Sequence, residues 1–187
     1  MDEKVSLEGS FLLAPVPVIL VACAHGELGR NLLTIAWCGV DSSEPPIVHV
    51  SIRPSRYSHR IIKESGSFTV NIPTVNMLHA VDLCGTVSGR ECDKFERAGL
   101  TPIDAAEVSA PLVAECPVNI ECRVRDVIPL GLHDMFLGEV VAKHADSCYM
   151  TRGELDFGLL PVIAYLHGEY WSLGKRIGQY GCSSKDV

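Results

Sequence analysis

The 187-residue sequence predicts a mainly β domain, an antiparallel barrel, closed or split, with helices inserted between strands. The clearest sign is the run from Cys116, where Cys116, Val118, Ile120, Cys122 and Val124 alternate with Asn119, Glu121, Arg123 and Arg125. A period of two marks a strand with one core face and one wet face. Six to eight segments of this kind are joined mostly by turn-length connections, which suit antiparallel neighbours, because parallel neighbours need a crossover helix at each step. Helical patterns interrupt the strands only after the third and the fourth. No composition break divides the chain, so one domain spanning residues 1–187 is expected, with a core at about 10–174 between an acidic N-terminal and a polar C-terminal tail.

In chain order, Val16 to Cys23 is short, β-branched and bounded by Pro15 and by His25-Gly26, which reads as a buried strand. The turn Gly26 to Gly29 returns the chain as a hairpin into a strand from Asn31 to Val40, and Asp41 to Pro46 reads as a polar loop. Ile47 to Ile52 is a third strand, closed by Pro54. Ser55 or Ser58 is placed to cap the helix that continues through Ile61-Ile62-Lys63-Glu64, and Gly66 stops it. Phe68, Val70 and Ile72 alternate with polar residues as a half-buried strand.

Thr74 to Leu83 reads as a helix capped by Thr74 or Asn76, with Met77, Leu78 and Val81 on one face. A second short helix is expected across Cys92 to Ala98, ended by Gly99. Beyond the alternating run, His133 to Lys143 forms another strand in which Gly138 marks a bulge or a close approach. Leu160 to Ala164 and Tyr170 to Leu173 read as short final strands around His167-Gly168.

Composition removes several classes of function. The net charge of -7 is spread among interspersed acids and bases, so nothing attracts a nucleic-acid backbone or an anionic membrane surface. The apolar segment Phe11 to Ala24 holds Pro15 and Pro17 and is too short for a membrane span. The residues before it lack the basic start of a secretory signal, so a cytoplasmic protein is expected. The eight cysteines contain no Cys-x-x-Cys pair, which argues for buried thiols rather than a structural metal site; no metal is expected. Glycine-rich Rossmann and P-loop motifs are absent, as are a G-x-S-x-G elbow and an H-E-x-x-H pair.

The chemistry that remains lies between Asn31 and His59. Asn31-Leu-Leu-Thr-Ile-Ala-Trp37 brings an amide, a hydroxyl and a large flat aromatic together on a strand. Ser51-Ile-Arg-Pro-Ser-Arg-Tyr-Ser-His59 leads from a strand into a basic, hydroxyl-rich turn that opens a helix. A helix N-terminus with two guanidinium groups beside it suits an anion, and the aromatic suits a stacked ring. Each residue also has an ordinary reading: a serine that only caps, solvated arginines, Trp37 in the core, Lys94 and Arg97 on a wet helix face, His133 a satisfied or exposed histidine.

Several further runs follow in order: E-P-P-I-V-H-V-S-I-R-P-S-R-Y-S-H, F-T-V-N-I-P, D-L-C-G-T-V-S-G-R-E-C-D-K-F, H-D-M-F-L-G-E-V-V and H-G-E-Y-W-S-L-G. With Asn31 to Trp37, this series resembles the flavin reductase-like family, FMN-binding split barrels that include the flavoredoxins, from about Ser10 to Gly174. The resemblance implies an FMN-binding split β-barrel that forms a homodimer with flavin near the subunit interface. It implies Asn31, Thr34, Ala36 and Trp37 along the flavin and its ribityl chain, then Ser51, Ile52 and Arg53 on the next strand. Arg56 and Ser58, with His59 beside them, would hold the phosphate; Ser88, Lys94, His133 and Tyr170 match further family positions. Ser58 stands where the family often has threonine, so the hydroxyl is kept.

The function this implies is an oxidoreductase that passes electrons through bound FMN, from NAD(P)H or a reduced partner protein to an acceptor such as ferric iron. The alternatives are an FMN electron carrier of the flavoredoxin type, or a thiol or metal protein built on Cys84, Cys92, Cys116 and Cys122. No catalytic side chain is expected, because the flavin performs the redox step. Cys38, next to Trp37, is a candidate thiol relay, although neighbouring strand residues face opposite ways.

Overall fold

A computed structural model of the chain describes residues 4–8 and 13–184. Parts of the acidic N-terminal stretch, the start of the apolar segment at Phe11 and the last three residues lie outside the described residues. The fold is mainly antiparallel β with few helices. Short strand β1 (Val16–Pro17) precedes β2 (Ile19–His25), and the turn at Gly29, with φ of +70°, pairs β2 with β3 (Gly29–Ile35). β2 is buried along five consecutive residues, which its run of aliphatic side chains requires.

The strand expected to run from Asn31 to Val40 is broken at Ala36-Trp37. There the chain leaves one edge of the sheet and enters the other as β4 (Cys38–Ser43), while the Trp37 carbonyl accepts from the Ser51 amide at 2.9 Å. The polar loop expected at 41–46 is shorter than predicted. Asp41 to Ser43 belong to β4, where Ser42 and Ser43 pair with β5 (Pro46–Ile52) past a bulge at Asp41, which leaves Glu44-Pro45 as the turn. Polarity signalled a loop where the chain is an edge strand with one side in solvent.

Helix α1 (Tyr57–Ser65) follows, ended by Gly66 in the left-handed region as expected. The capping prediction fails: Arg56 occupies the N-cap position with no side-chain cap, and Ser58 is buried, its hydroxyl accepting from Asn31 Nδ2 at 2.8 Å. β6 (Ser67–Ile72) is not half-buried, since Ser67, Thr69 and Asn71 are buried as well as Phe68 and Val70. Their polar atoms bond to Ser109 Oγ, to the Pro111 carbonyl and to the Leu20 carbonyl. The segment from about 104 to 113 covers that face.

The helix expected from Thr74 begins as a 3-10 turn at Val75–Met77 without a side-chain cap, and α2 (Leu78–Thr86) starts four residues late. Leu78 is exposed and the inward face is Ala80, Val81 and Cys84, so the helix is rotated from the face expected. α3 (Lys94–Ala98) is shorter than the predicted 92–98, because the Asp93 carboxylate caps it by accepting from the amides of Phe95 and Glu96; Gly99 ends it.

Strands β7 (Pro102–Ile103) and β8 (Leu112–Val113) form a small ribbon before β9 (Val118–Pro129) and β10 (Asp134–Ala145). The expected wet face of β9 is only half wet. Asn119 and Glu121 are buried under the 104–113 segment, while Arg123 and Arg125 are exposed. Beyond β11 (Met150–Thr151) and β12 (Glu154–Leu155), β13 (Ile163–Leu166) and β14 (Glu169–Ser172) form a hairpin whose turn residues His167 and Gly168 both have positive φ. Fourteen strands among the described residues, five of them two residues long, exceed the six to eight expected.

The seven-stranded sheet runs β3-β2-β6-β9-β10-β5-β4, with a separate sheet β1-β13-β14. Its edge strands β3 and β4 are consecutive in the chain, joined through Ala36-Trp37, so the sheet curls until its two edges meet at that corner; its hydrogen-bond ladder does not close. One core, around Val21, Leu33, Ile52, Ile61, Phe68 and Phe136, fills the inside against α1. Another, around Leu20, Leu32, Val81, Cys84 and Phe95, packs α2 and α3 on the opposite face of β2 and β3.

Gly138 lies at a register shift between β10 and β9, and a Cβ there would sit 2.5 Å from Phe68 Cζ and 3.0 Å from Cys122 Cβ. Both neighbours are fully buried. Gly138→Ala is therefore expected to cost about 1–3 kcal/mol by overpacking, read as a lower urea midpoint at unchanged slope.

Candidate functional site

The corner where the sheet edges meet opens into a hollow of about 470 Å³. Leu33, Thr34 and Ile35 from the end of β3 line it, with Ala36 and Trp37 at the break and Ser51, Ile52 and Arg53 from the end of β5. α2 adds Asp82, Gly85 and Thr86, the residue before β10 adds His133, and the β13-β14 hairpin adds Tyr165, Gly168 and Tyr170. Strand ends meet here because β5 pairs with β10 in a register that sets Ile52 opposite Asp134, which brings Arg53 and His133 side by side.

His133 lies against Trp37, with ring centroids 4.5 Å apart and planes at 48°, and its Nε2 accepts from Arg53 Nε at 3.3 Å. Burial, and then the Arg53 charge, push the His133 imidazolium toward deprotonation, so a neutral ring faces the hollow. Thr34 Oγ1 donates to the Val81 carbonyl at 2.5 Å and ties β3 to α2. Gly85 lets the helix approach that threonine, since a Cβ at Gly85 would stand 3.4 Å from Thr34 Cβ.

A second hollow of about 190 Å³ shares Leu33, Arg53 and Arg56 with the first and is lined further by Asn31, Ser55, Tyr57, Ser58, Val87, Ser88, Gly89, Arg90 and Lys94. Its groups are donors. The start of α1 has no side-chain cap, which leaves the amides of Tyr57 and Ser58 available, while that of His59 donates to the Arg56 carbonyl at 3.1 Å. Arg90 Nη1 donates to the Ser55 carbonyl at 3.0 Å, and its guanidinium lies 5.4 Å from the Tyr57 ring centroid. Lys94 is 2% exposed and donates to the Cys84 carbonyl at 2.7 Å; burial pushes its pKa down. A buried ammonium bonded to one neutral carbonyl is a group that an anion would stabilise. Gly89 packs directly on the Asn31 side chain and admits no Cβ.

Of the residues singled out from sequence, Thr34, Ala36, Trp37, Ser51, Ile52, His133 and Tyr170 line the larger hollow, Asn31, Ser58, Ser88 and Lys94 line the smaller, and Arg53 and Arg56 line both. His59 lines neither. Its buried ring bonds through Nε2 to Asp134 Oδ2 at 2.8 Å and stands edge-on to Phe136, so it ties α1 to β10 instead of facing the turn. His59→Phe is expected to destabilise the fold by about 2 kcal/mol, because it leaves the Asp134 carboxylate without that partner; thermal unfolding measures it.

Sequence reading missed Asp82, Gly85, Thr86, Val87, Gly89, Arg90, Tyr165 and Gly168. The first six fall inside the D-L-C-G-T-V-S-G-R run, and helical spacing sets Asp82, Gly85 and Thr86 on one face. Tyr165 and Gly168 had no local signal, since only the docking of their hairpin brings them to the hollow.

The eight cysteines are free thiols, and among the described residues no three His, Cys, Asp or Glu side chains converge as metal ligands. Burial pushes Cys23, Cys38 and Cys122 up to about 12, Cys84 to about 11 and Cys116 higher, which keeps them protonated. Cys38 lies outside the ring-sized hollow, in an apolar pocket of about 330 Å³ with Leu13, Val16, Ala36, Trp37 and His49. No described helix is long and apolar enough to cross a membrane.

Flavoredoxin of Desulfovibrio vulgaris (Miyazaki F) superposes with a TM-score of 0.91 at 31% identity, covering 98% of this chain and 100% of that one. Flavoredoxin from Methanosarcina acetivorans gives 0.91 at 29% identity, over 99% of each chain. An uncharacterized protein of Archaeoglobus fulgidus is 35% identical over 146 residues, 78% of each chain. Residues 11–173 match the family described as flavin reductase like domain, and the chain belongs to that family.

Proposed function

We propose that this chain is an FMN-binding oxidoreductase of the split-barrel type. In this reading the flavin ring occupies the larger hollow against Trp37 and His133, its ribityl chain passes Arg53 and Arg56, and its phosphate enters the smaller hollow. The observation that carries the proposal is the junction of the two hollows: a ring-sized space walled by aromatic side chains opens through two arginines into a donor-lined space holding a buried ammonium. The donor set fits a phosphate dianion, since Arg56, Arg90, Lys94 and the start of α1 can all donate.

Bound flavin would supply hydride and one-electron chemistry. The chain's own residues bind, orient and shield it. Arg53 orients His133 by donating to it, and the neutral imidazole presents a flat, uncharged edge to the ring space. Thr34 holds α2 against β3 as one wall. No side chain need act as acid, base or nucleophile. A homodimer that places the flavin near the subunit interface belongs to the same proposal.

The absorption spectrum of the purified protein, followed by heat release of the chromophore, tests it. Flavin bands and released FMN are expected. A colourless protein whose titration with FMN gives no fluorescence quenching would end the proposal. In the same titration, bound FMN is expected to raise Tm with concentration by mass action.

The similarity to two flavoredoxin structures favours a second reading, an electron carrier served by a reduced partner protein. Bleaching of the flavin band on mixing with NADH or NADPH under anaerobic conditions supports the reductase. Bleaching only by a reduced protein partner supports the carrier.

A further inference from the structure

Asp82 is the one carboxylate among the described residues that line the two hollows. It lies on the α2 wall of the ring-sized hollow, exposed, and its Oδ1 accepts from the Tyr170 hydroxyl at 3.2 Å. Burial and then Asp82 itself push the Tyr170 phenol up to about 12, so the hydroxyl remains a donor. Among the cations, Arg90 and Lys94 line the smaller hollow alone, while Arg53 and Arg56 line both. On the FMN reading, a phosphate dianion among these four cations offsets two of their charges. With His133 neutral, Asp82 is the one negative side chain in the lining of the ring hollow, set against the residual positive charge of Arg53 and Arg56.

A cleft with low-dielectric walls focuses such a charge on whatever enters. We propose that Asp82, held by Tyr170, is a specificity-determining residue of the ring hollow that shifts its choice of electron acceptor toward cationic ones and away from anionic ones. This deepens the FMN reading and rests on it. The residues that bind the phosphate set affinity for the cofactor, and Asp82 sets which second substrate reaches it.

The test uses the FMN-loaded protein, reduced photochemically without oxygen and mixed with hexaammineruthenium(III) or ferricyanide, one-electron acceptors of charge 3+ and 3-. Each acceptor takes one electron, so two are consumed per reduced protein, and the released protons go to buffer. The ratio of the two rate constants, cation over anion, is compared between wild type and variants, which cancels most of the difference in acceptor potential. Asp82→Asn keeps the size and a hydrogen-bond acceptor for Tyr170. It is expected to lower the ratio by roughly fivefold at low ionic strength, an effect that shrinks with added salt.

Tyr170→Phe keeps the charge and is expected to hold the ratio within about twofold of wild type. Glu154→Gln, at an exposed carboxylate that lines neither hollow, serves as the control for net charge, with the ratio again expected within about twofold. A second readout is the midpoint potential of bound FMN, which is expected to rise in Asp82→Asn because removing a negative charge favours the electron-rich reduced state. An unchanged ratio and potential in Asp82→Asn with normal FMN affinity overturns this inference alone. An equal fall of the ratio in Glu154→Gln assigns the effect to net charge and overturns it too. A wild-type protein that takes up no FMN overturns the FMN reading and this inference with it.

Discussion

Arg56→Ala is expected to weaken FMN binding by roughly tenfold to a hundredfold, the value of one charge-assisted hydrogen bond to a phosphate. Riboflavin, which has the same ring and ribityl chain without the phosphate, is expected to bind the variant within about threefold of wild type. The side chain is exposed and makes no ion pair among the described residues, so the fold has little to lose. Arg56 holds the N-cap position of α1 without a side-chain cap bond, and alanine there keeps the backbone of the turn. Parallel fluorescence titrations with FMN and riboflavin measure the difference. Equal losses for the two ligands would place the phosphate elsewhere.

The largest effect on stability is expected at Glu121. Its carboxylate is fully buried on β9 and accepts from the backbone amides of Ala106, Glu107 and Val108 at 2.9, 2.7 and 3.1 Å, and from His144 Nε2 at 2.6 Å. One side chain thus holds the 104–113 segment over the sheet. Glu121→Leu leaves three amides and an imidazole without their acceptor and is expected to cost about 3 kcal/mol, a fall in Tm of roughly 6–12 °C for a chain of this size.

The same group sets an acid limit. Burial alone would raise the Glu121 pKa, but the backbone amide of Ala106, the His144 imidazole and the amide of Glu107 outweigh it and hold the carboxyl below the usual range. A carboxyl whose folded pKa is depressed contributes stability that is fully present above its unfolded pKa and is lost as pH falls through the folded one. Stability is therefore expected to fall below about pH 4.5, the ordinary value for this group. In Glu121→Gln that part of the acid dependence disappears while stability at neutral pH drops. Urea midpoints between pH 3 and pH 7 separate the two, and an acid limb unchanged in Glu121→Gln would assign the loss to other carboxylates.

Much of the fold was legible in local pattern. The hairpin at Gly26 to Gly29, the helix stops at Gly66 and Gly99, the bulge at Gly138 and helices after Ile52 and Ile72 all follow from turn chemistry and periodicity, and the structure has them, although those helices come after its fifth and sixth strands rather than the third and fourth. The misreadings have two causes. Asn119 and Glu121 read as a wet face and β6 as half-buried because each polar residue is judged without its cover, whereas Asp41 to Ser43 read as a loop because an exposed edge strand carries the same polarity. The cover of β6 and β9 is a segment from elsewhere in the chain, and it satisfies those polar groups with its own backbone.

The site divides in the same way. By itself the sequence singled out two stretches that line the candidate site, an aromatic-bearing strand end and a basic turn opening a helix, because their character depends on residues adjacent in the chain. Only the tertiary structure decided that Ser58 bonds to Asn31 and caps nothing, that His59 turns to Asp134, and that Asp82 and Tyr170 meet 88 residues apart at one wall of the hollow. A strand's period fixes which way a side chain points along its own segment. What that side chain meets depends on sheet register and helix rotation, and these are set by packing between distant segments.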